Sequence, residues 1–214
     1  NMLQSCPSLE KLRVNACYSL ISFPLDLQQT PSLLDLRLSC CPKLKTSMTP
    51  KGFHFLTSFR KLKIGPFSDD DDDDDHENSS IYNEFDWSGL ISSSYSSSTL
   101  REVKLYGLPH MDSLPFLLQY LTILRSLSLH DFGGIEALPD WLGNFTALEY
   151  LHFSDFKKLR HLPSDDAMRR LTKLKHLWVF CSPLLKERCT PQSSGPDSQW
   201  SKVSHIQYLY ISSG

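Results

Sequence analysis

The sequence predicts an α/β solenoid, with parallel strands along one side and short helical or irregular segments along the other. Three observations predict it. An apolar-x-x-apolar-x-apolar pattern recurs through the chain, its copies fall at a near-constant interval, and the copies agree beyond the strand itself. The first anchors are Leu9, Leu33, Phe59, Leu100, Leu124, Leu148, Leu174 and Ile206, so the intervals run 24, 26, 41, 24, 24, 26 and 32 residues.

Each copy supplies one strand. In order they are Leu9/Leu12/Val14, Leu33/Leu36/Leu38, Phe59/Leu62/Ile64, Leu100/Val103/Leu105, Leu124/Leu127/Leu129, Leu148/Leu151/Phe153, Leu174/Leu177/Val179 and Ile206/Leu209/Ile211. The last two anchors of each copy lie two apart and point to one side of a strand, while the residue between them points to the other. A single coil cannot bury its apolar side, but stacked coils bury a continuous core. This is the leucine-rich-repeat arrangement, a horseshoe with a parallel concave sheet and convex helical or irregular segments.

After the strand the first two copies match position for position, Leu12-x-Val14-x-x-Cys17-x-x-Leu20 against Leu36-x-Leu38-x-x-Cys41-x-x-Leu44. Later copies place Leu108, Phe132, Phe156 and Ser182 where the cysteine stood. Leu114-Pro115, Leu138-Pro139 and Leu162-Pro163 then mark the descent from the sheet, with Phe23-Pro24 as an earlier counterpart. Proline suits a place where no ladder donor is needed.

The organisation expected is repeats over 1–67 with a truncated first coil, an acidic and serine-rich insert over 68–99, and repeats with a closing coil over 100–214. The interval of 41 comes from the insert. It holds Asp69, Asp70, Asp71, Asp72, Asp73, Asp74 and Asp75 in one run, then a serine-rich run from Ile91 to Thr99. Neither run can bury apolar surface, so a disordered or mobile loop is expected there. The apolar island Ile81, Tyr82, Phe85, Trp87 and Leu90 is expected to dock on the solenoid. The aspartate run has no glycine turn and makes a poor calcium loop; Ser68 is at most a site for an acid-directed kinase.

Composition narrows the function classes. A formal charge of -2 argues against nucleic-acid binding, and no apolar run is long enough for membrane insertion. No signal peptide is visible at the first residues. The six cysteines have neither zinc-site nor disulfide-scaffold spacing, so Cys17 and Cys41 are expected to be buried and reduced. Motifs for phosphate loops, nucleophile elbows and zinc hydrolases are absent. Catalytic, cofactor and metal residues are therefore expected to be none. His130, His152 and His176 recur in successive strands, and exposed binding-face residues are a commoner explanation than a metal ladder.

The candidate site is the concave face. The residue between the last two anchors reads Arg13, Arg37, Lys63, Lys104, Ser128, His152, Trp178 and Tyr210, four cations followed by a polar and aromatic block. Flanking positions add Tyr106, His130, Tyr150, His176, Phe180 and Tyr208. The basic half fits an acidic surface, and the aromatic half has the residue types of a protein-binding hot spot. The run Asp69 to Asp75 is expected as a regulatory loop, a displaceable cover over the cations.

Several segments resemble the C-terminal repeat domain of plant coiled-coil-type nucleotide-binding leucine-rich-repeat (NB-LRR) disease resistance proteins. The cues are Cys41-Pro42-x-Leu44, the Leu-Pro repeats, the stretch from Leu138 to Leu148, and the ending from Cys181 to Cys189 with Trp200 to Ile206. The resemblance implies a cytoplasmic or nuclear domain that recognises a pathogen effector, or a host guardee protein altered by one. It also implies that the domain holds an upstream nucleotide-binding domain of the same chain off until then. ATP or ADP would bind only in that upstream domain. A long acidic insert departs from the family pattern. The rival readings are a ubiquitin-ligase substrate adaptor and an extracellular receptor ectodomain, the latter carrying sequons at Asn78 and Asn144.

Overall fold

The computed structural model describes residues 6–23, 25–45, 49–66, 82, 84–91 and 99–213. The chain divides into two compact units, Asn1–Leu105 and Tyr106–Gly214. The run Asp69 to Asp75, Ser68, Ile81 and Asn78 lie outside the described residues, so the expectations placed on them do too.

In the first unit the strands are β1 (Lys11–Asn15), β2 (Asp35–Ser39), β3 (Lys61–Gly65) and β4 (Glu102–Tyr106). They pair in parallel and in register, Leu12↔Leu36, Leu36↔Leu62 and Leu62↔Val103, with Val14↔Leu38, Leu38↔Ile64 and Ile64↔Leu105. Each sequence anchor thus stacks on its counterpart one coil away. Leu33, Leu36, Leu38, Leu62, Ile64, Val103 and Leu105 are buried, whereas Leu12 and Val14 of β1 are only half-buried. Away from the strands stand two single-turn helices, Leu27–Gln29 and Phe53–Phe55, each burying its first residue.

The apolar island docks as expected through its described members. A short helix, α1, spans 87–91, and Tyr82, Phe85, Trp87 and Leu90 are all buried. Phe85 packs against Phe53 at 5.5 Å between ring centroids, and Phe53 against Phe59 at 5.7 Å. The polar atoms of the two larger rings are satisfied: the Tyr82 hydroxyl donates to the Ile64 carbonyl and the Trp87 indole to the Tyr82 carbonyl.

Asp86 fastens the island. Its carboxylate accepts from the amides of Gly52 at 2.8 Å, Gly89 at 3.1 Å and Phe53 at 3.4 Å, and from the Ser88 hydroxyl at 3.0 Å. Burial on its own would raise this carboxyl, but those four donors outweigh it and hold Asp86 below the ordinary aspartate value.

The second unit holds β5 (Ser126–His130), β6 (Tyr150–Ser154), β7 (His176–Phe180) and β8 (Tyr208–Ile211), again parallel and in register. Single-turn helices Phe116–Tyr120 and Asp140–Asn144 start directly after Pro115 and Pro139, at the descent that the Leu-Pro repeats marked. Three α-helical segments follow: α2 (Asp165–Arg170), α3 (Pro183–Arg188) and α4 (Trp200–Val203). Ser164 caps α2, with Asp165 and Asp166 in the first turn and Arg169 and Arg170 in the last, as the helix dipole favours. Gly143 lets this helix approach closely, since a Cβ there would stand 2.6 Å from the Ala167 carbonyl oxygen. Four phenylalanines, Phe132, Phe145, Phe153 and Phe156, are fully buried in its core.

A left-handed corner ends most strands. Ala16, Cys40, Asp131, Asp155 and Cys181 each take a φ between 50° and 63° one residue past a strand. At Ala16, Asp131 and Asp155 the corner amide donates to the last strand carbonyl of the next coil, those of Ser39, Ser154 and Phe180. The next residue turns inward or back. Phe132 and Phe156 fill the core, and Cys41 and Ser182 donate to the carbonyls of Ser39 and Phe180. That shared bond explains why serine stands in for cysteine there. Cys41 is buried, but Cys17 is exposed, contrary to expectation; no neighbouring segment among the described residues covers it.

Candidate binding faces

Strand residues two apart share a face, so register fixes which side chains line up. In the first unit Arg13↔Arg37, Arg37↔Lys63 and Lys63↔Lys104 are direct neighbours, and the expected cationic column is continuous. The column beside it is Lys11, Asp35, Lys61 and Glu102, alternating in sign. Sequence reading missed this second column, although the residue before each second anchor spells it out.

The two columns interlock. The Arg37 guanidinium donates twice to buried Asp35, at 2.9 and 3.0 Å, while Arg13 stands 4.0 Å from the same carboxylate. The Asp35 bond holds the Arg37 value above the ordinary one. Lys61 meets Glu102 at 2.6 Å. Burial lowers the Lys104 ammonium from its usual value, Glu102 opposing and Arg37 assisting. Six cations against two carboxylates leave this face positive, but as a braced lattice rather than a bare row.

In the second unit the same rule yields three columns. Ser126, Tyr150, His176 and Tyr208 form the first, Ser128, His152, Trp178 and Tyr210 the second, and His130, Ser154 and Phe180 the third. Tyr106 joins the third by stacking on His130 at 4.8 Å and 19°. None of these residues is an Asp, Glu, Lys or Arg. The expected aromatic block is therefore assembled on one side of one sheet.

Its rings touch in a defined way. His176 is sandwiched by Tyr150 and Tyr208, each at 4.4 Å with planes within 10°. His152 meets His130, Trp178 and Phe180 edge to face at 4.8, 6.5 and 5.2 Å. Tyr150, Trp178, Tyr208 and Tyr210 stay 42%, 41%, 50% and 51% exposed. Sheet backbone groups are consumed by strand pairing, so large rings stand in water on a rigid support. Rigid, amphipathic rings of this kind lose little side-chain entropy on binding.

Charges border this face without entering it. Arg125 and Glu149 pair at 3.6 Å at the strand entries. At the exits, the Ser154 hydroxyl and then Lys157 hold the Asp155 carboxyl below its ordinary value against burial, whereas burial and the nearby Asp155 push Asp131 up. Among the described residues no three His, Cys, Asp or Glu side chains gather as a metal-binding group. No helix among them is long and apolar enough to cross a membrane.

No family model matches the chain, and no curated protein matches it.

Proposed function

We propose that this chain is a leucine-rich-repeat horseshoe serving as the protein-recognition and autoinhibitory domain of an intracellular plant immune receptor. It senses a pathogen effector, or a host guardee modified by one, by binding rather than by catalysis. The observation that carries the recognition role is the uncharged face on which Tyr150, Trp178, Tyr208 and Tyr210 stand exposed over a hydrogen-bonded sheet. The immune-receptor setting rests on the resemblance of the Leu-Pro repeats and of the ending from Cys181 to Ile206.

In this reading the domain binds the closed receptor better than the open one, and the ligand reverses the preference. Nucleotide belongs to an upstream domain, and the protein acts in the cytoplasm or nucleus. Partners are proteins, with no nucleic acid and no membrane insertion. The cationic columns of the first unit serve an acidic protein surface, and the run Asp69 to Asp75 regulates access to it.

The test is to read the coding sequence upstream of Asn1 and to assay the receptor so defined. A phosphate-binding loop there, together with loss of the defence response in a Trp178→Ala, Tyr210→Ala double variant that still folds, is the expected result. A ligase-recruiting module upstream would move the same face to substrate capture by a ubiquitin-ligase adaptor. A signal peptide would move it outside the cell.

A further inference from the structure

The aromatic face of the second unit has a hydrogen-bond and charge signature that narrows the chemistry of its partner. This step rests on the reading of that face as a protein-binding surface.

Charge comes first. No strand position on the face carries a Lys, Arg, Asp or Glu. A carboxylate or ammonium pressed onto it would lose water and gain no ionic partner. The contacting segment is therefore uncharged.

Ring faces come second. The stacking of Tyr150, His176 and Tyr208 covers both faces of His176 and the inner face of each tyrosine. A cation seeking a π face is left only the outer faces of the two tyrosines, while the column also presents ring edges and two phenol hydroxyls. Tyr208 accepts from the Gln207 amide at 3.1 Å, which leaves its own O–H as a donor. Trp178 and Tyr210 add an indole N–H and a third phenol in the next column. The face is rich in donors.

Hydrogen-bond accounting then selects the backbone. An ordinary extended peptide brings an N–H at every residue, and each must find an acceptor once buried. A proline-rich peptide brings carbonyls with few N–H groups, the complement of this surface. Spacing agrees as well. Tyr150 and Tyr208 stack on the two faces of His176 at 4.4 Å each, so their rings stand about 8.8 Å apart, close to the ~9.3 Å of one turn of polyproline II. Carbonyls one turn apart would meet both hydroxyls.

We infer that this face binds an uncharged, proline-rich segment of a partner protein in the polyproline II conformation, crossing the strands from β6 to β8. Its carbonyls accept from Tyr150, Tyr208 and Trp178, and its rings and aliphatic side chains pack on the exposed edges. The pre-formed helix of such a segment limits the entropy lost on docking.

The experiment titrates the full chain with an uncharged proline-rich peptide of about twelve residues, roughly four polyproline turns, following tryptophan fluorescence. Controls of equal length carry glycine in place of proline, or an acidic sequence. The proline peptide is expected to bind about equally at low and high salt, and the glycine control at least ~10-fold more weakly, a preference of about 1.4 kcal/mol. A Tyr150→Phe, Tyr208→Phe variant keeps the ring stack and removes both donors, so it should lose most of that affinity with an unchanged melting temperature. Equal binding of proline and glycine peptides, no binding of either, or undiminished binding by the double Phe variant would each overturn the inference. The recognition reading fails separately, if Trp178→Ala with Tyr210→Ala leaves the response of the full receptor intact.

Discussion

The two units use the same strand and the same register for opposite surfaces. On the first, Arg13, Arg37, Lys63 and Lys104 stand beside Asp35 and Glu102, and the side chains hold one another by ion pairs. On the second, tyrosine, histidine and tryptophan hold one another by ring contacts with no charge among them. The lesson is that a sheet face can be ordered before any partner arrives, by two different forces. One weakens as salt is added; the other is indifferent to it.

The contrast extends inward, and the largest expected effect tests it there. In the first unit Trp87 is buried in the docked island rather than in a strand. Trp87→Ala should cost about 4 kcal/mol, read as a lower denaturant midpoint, with amide exchange accelerating at β3. Protection at β3 left unchanged would mean that the island is an ornament and not part of the first core.

Gly143→Ala probes the second unit. A Cβ 2.7 Å from the Ala167 Cα has no flexible atom to displace, so α2 must shift, for about 2 kcal/mol. A stability equal to the wild type would show that this helix is loosely held.

Two carboxylates sharpen the comparison through pH. Asp86 in the first unit has a folded value below its unfolded one. Its contribution is therefore full above the unfolded value and disappears as pH falls through the depressed one. Asp86→Asn should cost about 1.5 kcal/mol at pH 7, and the gap between variant and wild type should close in acid. Asp131 in the second unit has the reverse shift. It favours the fold below its unfolded value, and that advantage is lost as pH rises through the raised folded value. Asp131→Asn keeps a residue tolerant of positive φ and removes the charge, so it should raise stability at pH 7 by about 0.5 kcal/mol. A thermal melt across pH reads both, and the same sign at both sites would end the comparison.

Much of this was legible beforehand, for a physical reason. A strand with period two announces its inward residues, so the anchors, both columns of candidates and the apolar island could be read directly. The alternating column of Lys11, Asp35, Lys61 and Glu102 was equally readable, but the flanking position was read only in the later strands. Other features had no local signal. The corner residues Ala16, Cys40, Asp131, Asp155 and Cys181 follow no single residue type, and at Ala16, Asp131 and Asp155 the corner is tied to a hydrogen bond into the neighbouring coil. Asp86 announces nothing until Gly52, far back in the chain, presents its amide. The parallel packing of Tyr150 and Tyr208 on His176 depends on rotamers, which spacing does not encode.

The corners also govern how such a chain tolerates change in length. They sit a fixed step past the strand, whereas the intervals between first anchors run from 24 to 41 residues. Each coil thus behaves like a measured edge joined to an adjustable strap. New sequence spliced into the strap leaves the columns on the strand face in alignment, and the same residues added ahead of the corner would put that coil's strand out of step with its neighbours.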